Sequence, residues 1–491
     1  MTRENNKKCI VIGAGIAGIA AAIRMRNKGY SVAVYEANNF PGGKLSTESS
    51  KGYRFDMGPS VFTMPAYVDE LFELSGRNPR EFFNYIQLNP VYHYFFEDGT
   101  VLDAYHDKEQ FAMEMAGKTL DKKEDILKFL EKTEVIYNLT ADVFLHSSLH
   151  KFKNYFTRRV AKGLLNFGKI GAFDTMNGAN EKAFKDPRLV QVFNRYATYN
   201  GSSPYLSPAT LNVIPYVEIV KGAFYPEGGM YSITSSLVRL AKEIGVEFYF
   251  SSPVHEILMT NKTATGIKTA HGAVQCDIVI SNMDIYNSYQ KLMPGLKKPE
   301  KILNQPKSSS GIIFYWGIKK EFHQLGLHNI LFSKNYQEEF DTIFSKKTIY
   351  TDPTIYLNIT SKKTPSDAPA GCENWFSFIN VPHNTGQDWD LLISQARQAV
   401  IQKINRVLKT DLAPLIETEM VFDPRVIESR TSSAFGAIYG NSSNNKFAAF
   451  LRHPNFSKEI KNLYFCGGSV HPGPSIPLCL LSAKITTGLI K

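Results

Sequence analysis

Cysteine is scarce. The chain has five in 491 residues, Cys9, Cys276, Cys372, Cys466 and Cys479, and no two of them form a C-x-x-C pair. That excludes a thiolate zinc finger, offers no disulfide framework, and fits a reducing cytosol. Sequons such as those at Asn138 and Asn358 are then chance matches. Long apolar runs are missing too: none reaches the ~18 residues that span a bilayer, so the chain is expected to be soluble or attached to one membrane face. The formal net charge is +10, yet no basic run carries the interleaved aromatics of a nucleic-acid module, so no nucleic acid is expected as a partner. Metal-ligand clusters, internal repeats and low-complexity linkers are likewise not seen.

What the chain has in quantity is apolar mass. Its 43% hydrophobic content and its length favour two or three domains with a sizeable core. Aromatics make up 12%, with 33 Phe and 25 Tyr against 3 Trp. Such a composition suits a large apolar cavity, and it equally suits ordinary core packing. The apolar stretch Cys9 to Ile23 behind Lys7 and Lys8 imitates a signal peptide, but glycines interrupt it and no small-residue cleavage site follows. A strand, a turn and a helix explain those positions better.

Read along its length, the chain opens as βαβ. Cys9–Ile12 is a short apolar strand, a helix ends before Gly29, and Ser31–Tyr35 is the second strand with Glu36 at its end. Residues 60–220 read as a helical insert, with helices around Tyr67–Leu74, Lys123–Phe144 and Pro187–Tyr196. Within it, 151–169 alternates basic residues with Phe152, Phe156, Leu164, Leu165 and Phe167, a pattern that suits an anionic membrane surface or a solvated helix. The α/β pattern returns at Gly228–Gly229 with a helix carrying Ile233, Leu237, Leu240 and Ile244, then strands at Val246–Phe250, Val254–Leu258 and Val274–Ser281. A second insert holds strands at Gly311–Ile318, Thr354–Asn358 and Trp375–Asn380 and a helix Trp389–Leu408. A short strand Asn462–Cys466 and a closing helix through Lys484 finish the pattern. The expected organisation is a discontinuous dinucleotide-binding frame over 1–77, 221–285 and 416–491, a helical insert over 78–220 facing substrate or membrane, and a substrate-binding insert of sheet and helix over 286–415.

Three motifs carry chemistry. In Gly13-Ala14-Gly15-Ile16-Ala17-Gly18, the first glycine permits the tight turn, the second lets a pyrophosphate approach the backbone, and the third allows close helix–strand packing. The helix N-terminus favours the phosphate charge. Glu36 can accept hydrogen bonds from a ribose and would repel a 2′-phosphate, which admits FAD or NAD and excludes NADP. The second motif, Pro41-Gly42-Gly43-Lys44 followed by Phe55-Asp56-Met57-Gly58-Pro59-Ser60, gives a bulky ring or phosphate a close path along backbone. Each stretch alone reads as a turn or a hairpin. The third, Cys466-Gly467-Gly468-Ser469 leading into His471-Pro472-Gly473-Pro474-Ser475-Ile476-Pro477, opens a helix that Pro477 suits. Its N-terminus would stabilise negative charge on a reduced flavin. His471 is a candidate base, although the Pro472-Gly473 beside it reads as loop-shaping.

Together these stretches resemble the FAD-binding amine-oxidase and carotenoid-desaturase superfamily, and within it the bacterial-type carotenoid desaturases of the phytoene-desaturase family. The likeness runs from Lys8 to Pro65, Arg195 to Val254, Asp277 to Asn282, Phe435 to Gly440 and Asn462 to Lys484. The run Arg195-Tyr196-Ala197-Thr198-Tyr199-Asn200-Gly201-Ser202-Ser203-Pro204-Tyr205 resembles the hydroxycarotenoid 3,4-desaturase branch, whereas Gly228-Gly229-Met230-Tyr231 is shared more widely. Two departures stand out: Ser475 occupies a position where the family usually has Gly, and Leu478 and Cys479 replace small or branched residues.

The resemblance implies an α/β fold with α+β inserts: a Rossmann-like FAD-binding domain of the amine-oxidase type, an interleaved substrate domain and a helical membrane-facing region. It implies non-covalent FAD held at Gly13, Gly15, Ile16, Ala17 and Gly18, at Glu36 and Ala37, and at Gly42, Gly43 and Lys44. Further contacts are implied at Gly58, Pro59 and Ser60, at Val254 and Asn282, and at Gly467, Gly468, Ile476 and Pro477. The implied activity removes two hydrogens across a C–C bond of an acyclic carotenoid, at the 3,4 position of a 1-hydroxycarotenoid, with oxygen or a quinone as electron acceptor. Phytoene desaturation, carotenoid isomerisation, or amine or porphyrinogen oxidation on the same framework are the alternatives. The implied location is cytoplasmic, peripheral to the inner face of the cell membrane. No residue spacing identifies an acid–base pair, and Glu227 reads as a turn carboxylate.

Overall fold

A computed structural model describes residues 7–144, 174–445 and 452–491. The strand Lys8–Ile12 is buried from its second residue onward, because it lies in the middle of a five-stranded sheet. An almost continuous apolar run is what a strand covered on both faces requires. The order across this sheet is Glu247–Tyr249, Ser31–Tyr35, Lys8–Ile12, Ile278–Ser281 and Leu463–Phe465, all parallel. The helix Ile16–Asn27 is buried from Ile16 to Met25. A helix apolar on every side has to be covered on every side. It packs with Tyr231–Glu243 and the closing helix Ile476–Gly488 in one apolar cluster with the sheet. Gly29, at φ +88°, turns the chain out of the helix. Lys28 Nζ and Tyr30 OH then donate to the carbonyls of Ile490 (2.8 Å) and Lys491 (2.9 Å), tying the first βαβ unit to the closing helix.

The residues read as one strand over Val274–Ser281 form two. Gly272–Gln275 completes an antiparallel three-stranded sheet with Val254–Thr260 and Thr263–Thr269, whereas Ile278–Ser281 joins the parallel sheet. Asp277 makes the junction, since its carboxylate and backbone N–H both pair with Lys8.

A seven-stranded mixed sheet forms the second layer, in the order Ile416–Phe422, Ser310–Ile318, Glu373–Val381, Ile355–Asn358, His328–Leu331, Tyr92–Phe95 and Val101–Ala104. Successive side chains of Ser310–Ile318 point to opposite faces. Phe314 and Trp316 pack with Trp375 under the helix Trp389–Leu408, while Ile313 and Tyr315 pack with Tyr53, Phe55 and Met57.

This sheet corrects two expectations. The segment 78–220 is not purely helical: Tyr92–Phe95 and Val101–Ala104 are strands of the sheet, and Tyr85–Gln87 pairs with Ala223–Pro226. The alternation of Tyr92 and Tyr94 with His93 is a strand pattern. Nor does the frame resume at 416, because Ile416–Phe422 is an edge strand on Ser310–Ile318. The basic stretch 151–169 lies outside the described residues. Among those described, no helix is long and apolar enough to cross a membrane.

Candidate active site

The Gly-rich turn sits at the C-terminal end of the central strand, where an open parallel sheet binds ligands. Gly13 has φ +94° and donates to the Tyr35 carbonyl at 2.7 Å. A Cβ on Gly18 would stand 2.1 Å from the Gly13 carbonyl oxygen, and one on Gly15 would stand 2.6 Å from Asn282 Nδ2. Ala14, Ile16, Ala17 and Gly18 are buried, and Gly13 and Gly15 keep accessible surface. The Glu36 carboxylate is buried beside the turn: one oxygen accepts from the Ala14 N–H (2.7 Å), the other from the Asn38 backbone and side-chain amides (2.9 Å each). The oxygen that faces Ala14 retains a lone pair that could take a ribose hydroxyl. Ala37 is exposed, and Val254 is half-buried at the start of its strand.

The Gly42-Gly43 segment lies against this turn. Gly42 donates to the Ala14 carbonyl at 2.8 Å, and a Cβ on Gly43 would be 3.6 Å from Gly15 Cα. A Cβ on Gly58 would strike the Lys44 carbonyl oxygen at 1.9 Å, so backbone packs on backbone. Lys44 Nζ donates to the Ile438 carbonyl at 2.6 Å, and burial lowers its pKa against the pull of Asp284. Burial raises the Asp284 carboxyl, against the pull of Lys44 and Lys307. The sequence did not bring Lys44 and Asp284 together; the fold does. Asp56 is a helix cap: it accepts from the Met230 (2.8 Å) and Tyr231 (3.1 Å) N–H groups and pairs with Arg54 (2.8 Å). Arg54 reaches on to Asp367 at 3.1 Å, which fastens this motif to the second insert. Ser60 faces that insert, its Oγ 2.7 Å from Tyr356 OH.

On the far side of the turn, Asn282 stands between the two glycine loops. A Cβ on Gly467 would be 2.8 Å from Asn282 Oδ1. Gly467 donates to Ser482 Oγ (3.1 Å), and Gly468 lies over Cys479. Residues that motif reading passed over hold this loop. Arg452, buried, donates to the carbonyls of Tyr439 (3.3 Å), Gly468 (3.3 Å) and Asn441 (3.1 Å), and burial lowers its pKa to about 10. Asn455 Nδ2 donates to the His471 carbonyl at 2.8 Å. His471 is buried, with its backbone N–H on the His453 carbonyl and its own carbonyl accepting from Asn455 and Ser482. That placement gives the residue a loop-shaping role. Glu227 is an exposed turn residue.

Ile476 and Pro477 open the closing helix and are buried, and Ser475 caps it by accepting from the Leu478 N–H at 3.3 Å. Ser475 has φ 128° and ψ 163°, a region that only glycine enters freely. Such strain costs ~1–3 kcal/mol, whereas giving up a serine cap for glycine costs only a few tenths, about 0.3 kcal/mol. Ser475→Gly is therefore expected to raise stability by about 1 kcal/mol, read as a higher thermal midpoint with FAD content unchanged. A lower midpoint would contradict the strain.

Several side chains here are enclosed by protein on every side and still keep accessible surface: Lys44, Asp284 and Cys479 near the glycine loops, and Tyr439, Tyr199 and Tyr356 beyond them. They face an internal space. Tyr439 links its two ends, since the adjacent Ile438 carbonyl takes Lys44 and its ring lies against Gly201. The wall beyond is aromatic and centred on a buried ion pair. Arg195 donates to Glu218 and to Tyr94 OH (2.8 Å each) and lies over the rings of Tyr92 (4.2 Å) and Tyr196 (4.3 Å). Tyr196 and Tyr199 both donate to Glu218. Of the Arg195–Tyr205 run, Tyr199 reaches this space, and Arg195 and Tyr196 are buried behind it.

Residues 16–490 match the family described as flavin containing amine oxidoreductase. A 1-hydroxycarotenoid 3,4-desaturase from a Flavobacterium species is 51% identical over 484 residues, covering 99% of each chain. A 4,4'-diapolycopene oxygenase from a Methylomonas species is 34% identical over 99% of this chain and 98% of its own. A phytoene desaturase from Fusarium fujikuroi is 32% identical over 98% and 88%. Among solved structures, a redesigned putrescine oxidase superposes with a TM-score of 0.63 at 13% identity over 99% of both chains, which shows a shared fold.

Proposed function

The chain belongs to the flavin-containing amine oxidoreductase family, in its carotenoid-desaturase branch, and from that premise we propose that it introduces the 3,4 double bond into an acyclic 1-hydroxycarotenoid. The observation that carries this reading is the likeness to the Flavobacterium enzyme, which runs the length of both chains. The residues of the glycine turn fit FAD: two glycines whose Cβ positions are barred, and a buried carboxylate beside them. Gly13, Gly15 and Gly18 with the start of Ile16–Asn27 would hold the pyrophosphate, and Glu36 the adenosine ribose. The chemistry that bound FAD supplies is acceptance of a hydride equivalent from one carbon of the substrate.

The chain's own residues bind, align and keep the site dry. Half-buried Tyr199, Tyr356 and Tyr439 would give a polyene a largely aromatic, shape-selective wall. Asp56 fixes the helix Tyr231–Glu243 behind the second glycine pair, so that alignment is set before substrate arrives. The neighbouring carbon loses a proton, and the electrons pass on to oxygen or a quinone. An acyclic carotenoid resides in a bilayer, so the enzyme meets the cytoplasmic membrane face peripherally to collect it.

Anaerobic incubation of the FAD-loaded protein with a 1-hydroxy acyclic carotenoid in liposomes, beside phytoene, tests the reading. The expected result is bleaching of the flavin absorbance and a product lighter by two hydrogens from the hydroxylated substrate alone. Turnover of phytoene alone would reassign the enzyme to the phytoene step, and a product heavier by oxygen would make it an oxygenase.

A further inference from the structure

Ser60 and Tyr356, bonded to each other, join the Gly58-Pro59 turn to the seven-stranded sheet. Ser60 ends the Gly58-Pro59 turn, which is packed backbone to backbone on Lys44 and so on the dinucleotide cradle. Tyr356 lies on the sheet strand Ile355–Asn358, where two apolar clusters join. Its hydroxyl is 2.7 Å from Ser60 Oγ and 2.8 Å from His328 Nδ1. Around it the wall is aromatic: Phe376 stands edge-on at 6.0 Å and Tyr92 at 6.5 Å. A polar pair within such a wall, half-exposed to an enclosed space, calls for a polar partner.

Asn358 Nδ2 donates to the Leu327 carbonyl at 3.1 Å and lies 3.1 Å from His328 Nδ1. Burial, with Arg195 nearby, keeps that imidazole neutral, its pKa lowered to about 3. The Tyr356 hydroxyl bridges Nδ1 and Ser60 Oγ. Ser60 Oγ is half-exposed and keeps capacity for a further hydrogen bond beyond Tyr356.

We propose that Ser60 Oγ, positioned by Tyr356 and His328, hydrogen-bonds the substrate's tertiary C1 hydroxyl and thereby selects hydroxylated carotenoids. This rests on the 1-hydroxycarotenoid reading above and adds the group that recognises the hydroxyl. The chemistry of the substrate supports the placement. C1 is separated from the reacting C3–C4 bond by a single carbon, so the hydroxyl oxygen lies within roughly 5 Å of that bond by ordinary bond lengths. Its recogniser must therefore stand beside the cofactor cradle, as Ser60 does. A site built to bond a hydroxyl discriminates against the analogue lacking it, because the bound chain then covers a hydrogen-bonding group and offers it nothing.

The test compares the holoenzyme with Ser60→Ala and Tyr356→Phe on three substrates: the 1-hydroxycarotenoid, its deoxy analogue and its 1-methyl ether. Wild type should prefer the alcohol over both analogues by at least about tenfold in kcat/KM. Each variant should lose at least about tenfold in its preference for the alcohol, read as the ratio of kcat/KM for the alcohol to that for each analogue, with the FAD dissociation constant unchanged. Equal losses on all three substrates, or weakened FAD binding by Ser60→Ala, would make Ser60 a cofactor or packing residue and overturn the proposal. Selectivity retained in both variants overturns it as well, while leaving the desaturase reading intact. A wild type that treats alcohol and deoxy analogue alike overturns the 1-hydroxycarotenoid reading and this assignment with it.

Discussion

Gly18→Ala is expected to yield a protein that purifies nearly colourless and binds FAD roughly a hundredfold more weakly. The methyl group would stand 2.1 Å from the Gly13 carbonyl oxygen, and backbone cannot yield as the tip of a long side chain can. The turn must shift away from the helix, and overpacking of this kind costs about 3 kcal/mol. The shift falls on the N–H groups that would meet the pyrophosphate, so affinity suffers together with stability. Gly117→Ala is the matching control. That glycine lies in the helix Lys108–Lys118 with nothing within 4 Å of its Cβ position. There, alanine should leave FAD binding untouched and stabilise by about 0.5–1 kcal/mol. Titration of apoprotein with FAD, followed by flavin fluorescence, measures both. Full affinity in Gly18→Ala would mean that the turn is not the pyrophosphate site.

Arg195→Met is expected to lower unfolding free energy by about 3–5 kcal/mol. The guanidinium and Glu218 are both buried and 2.8 Å apart, and the cation lies over the rings of Tyr92 and Tyr196. Removing the cation leaves the carboxylate buried with only tyrosine hydroxyls as partners. Arg195→Lys should recover little, because an ammonium cannot stack flat on the rings while donating to both Glu218 and Tyr94. Glu218→Gln in the Arg195→Met background should restore part of the loss, since a neutral amide is cheaper to bury than a lone carboxylate. Urea midpoints of the single and double variants measure the coupling. Additive losses would show that the two side chains do not act as a pair.

Legibility in the sequence followed the range of the interactions. The first turn reads directly because its requirements are local: Gly13 needs its positive φ, Gly18 must clear Gly13, and Glu36 ends the next strand. Trp389–Leu408 carries a periodic apolar face along one helix, and its bounds agree with the structure. Asp56 looked like part of a cofactor motif but caps a helix more than a hundred residues away. The strands Tyr92–Phe95 and Val101–Ala104 were hidden by helical neighbours and by distant partners, for Tyr92–Phe95 pairs with His328–Leu331. The relay from Ser60 to Tyr356 and His328 has no local signature. Nor has Arg452, whose bonds go to backbone carbonyls, a role any buried cation could fill.

The parallel sheet also sets an order of events during synthesis. Its central strand Lys8–Ile12 emerges early, but the neighbour Ile278–Ser281 follows only after the first insert, and Leu463–Phe465 only after the second. Loop closure over such spans is slow, because the entropy is spent before the contacts form. Meanwhile the apolar flanks of Ile16–Asn27 wait for the helix Ile476–Gly488 to cover them. The cradle for the cofactor is therefore begun first and finished last. On the ribosome, those flanks would stay uncovered until residues 476–488 have followed.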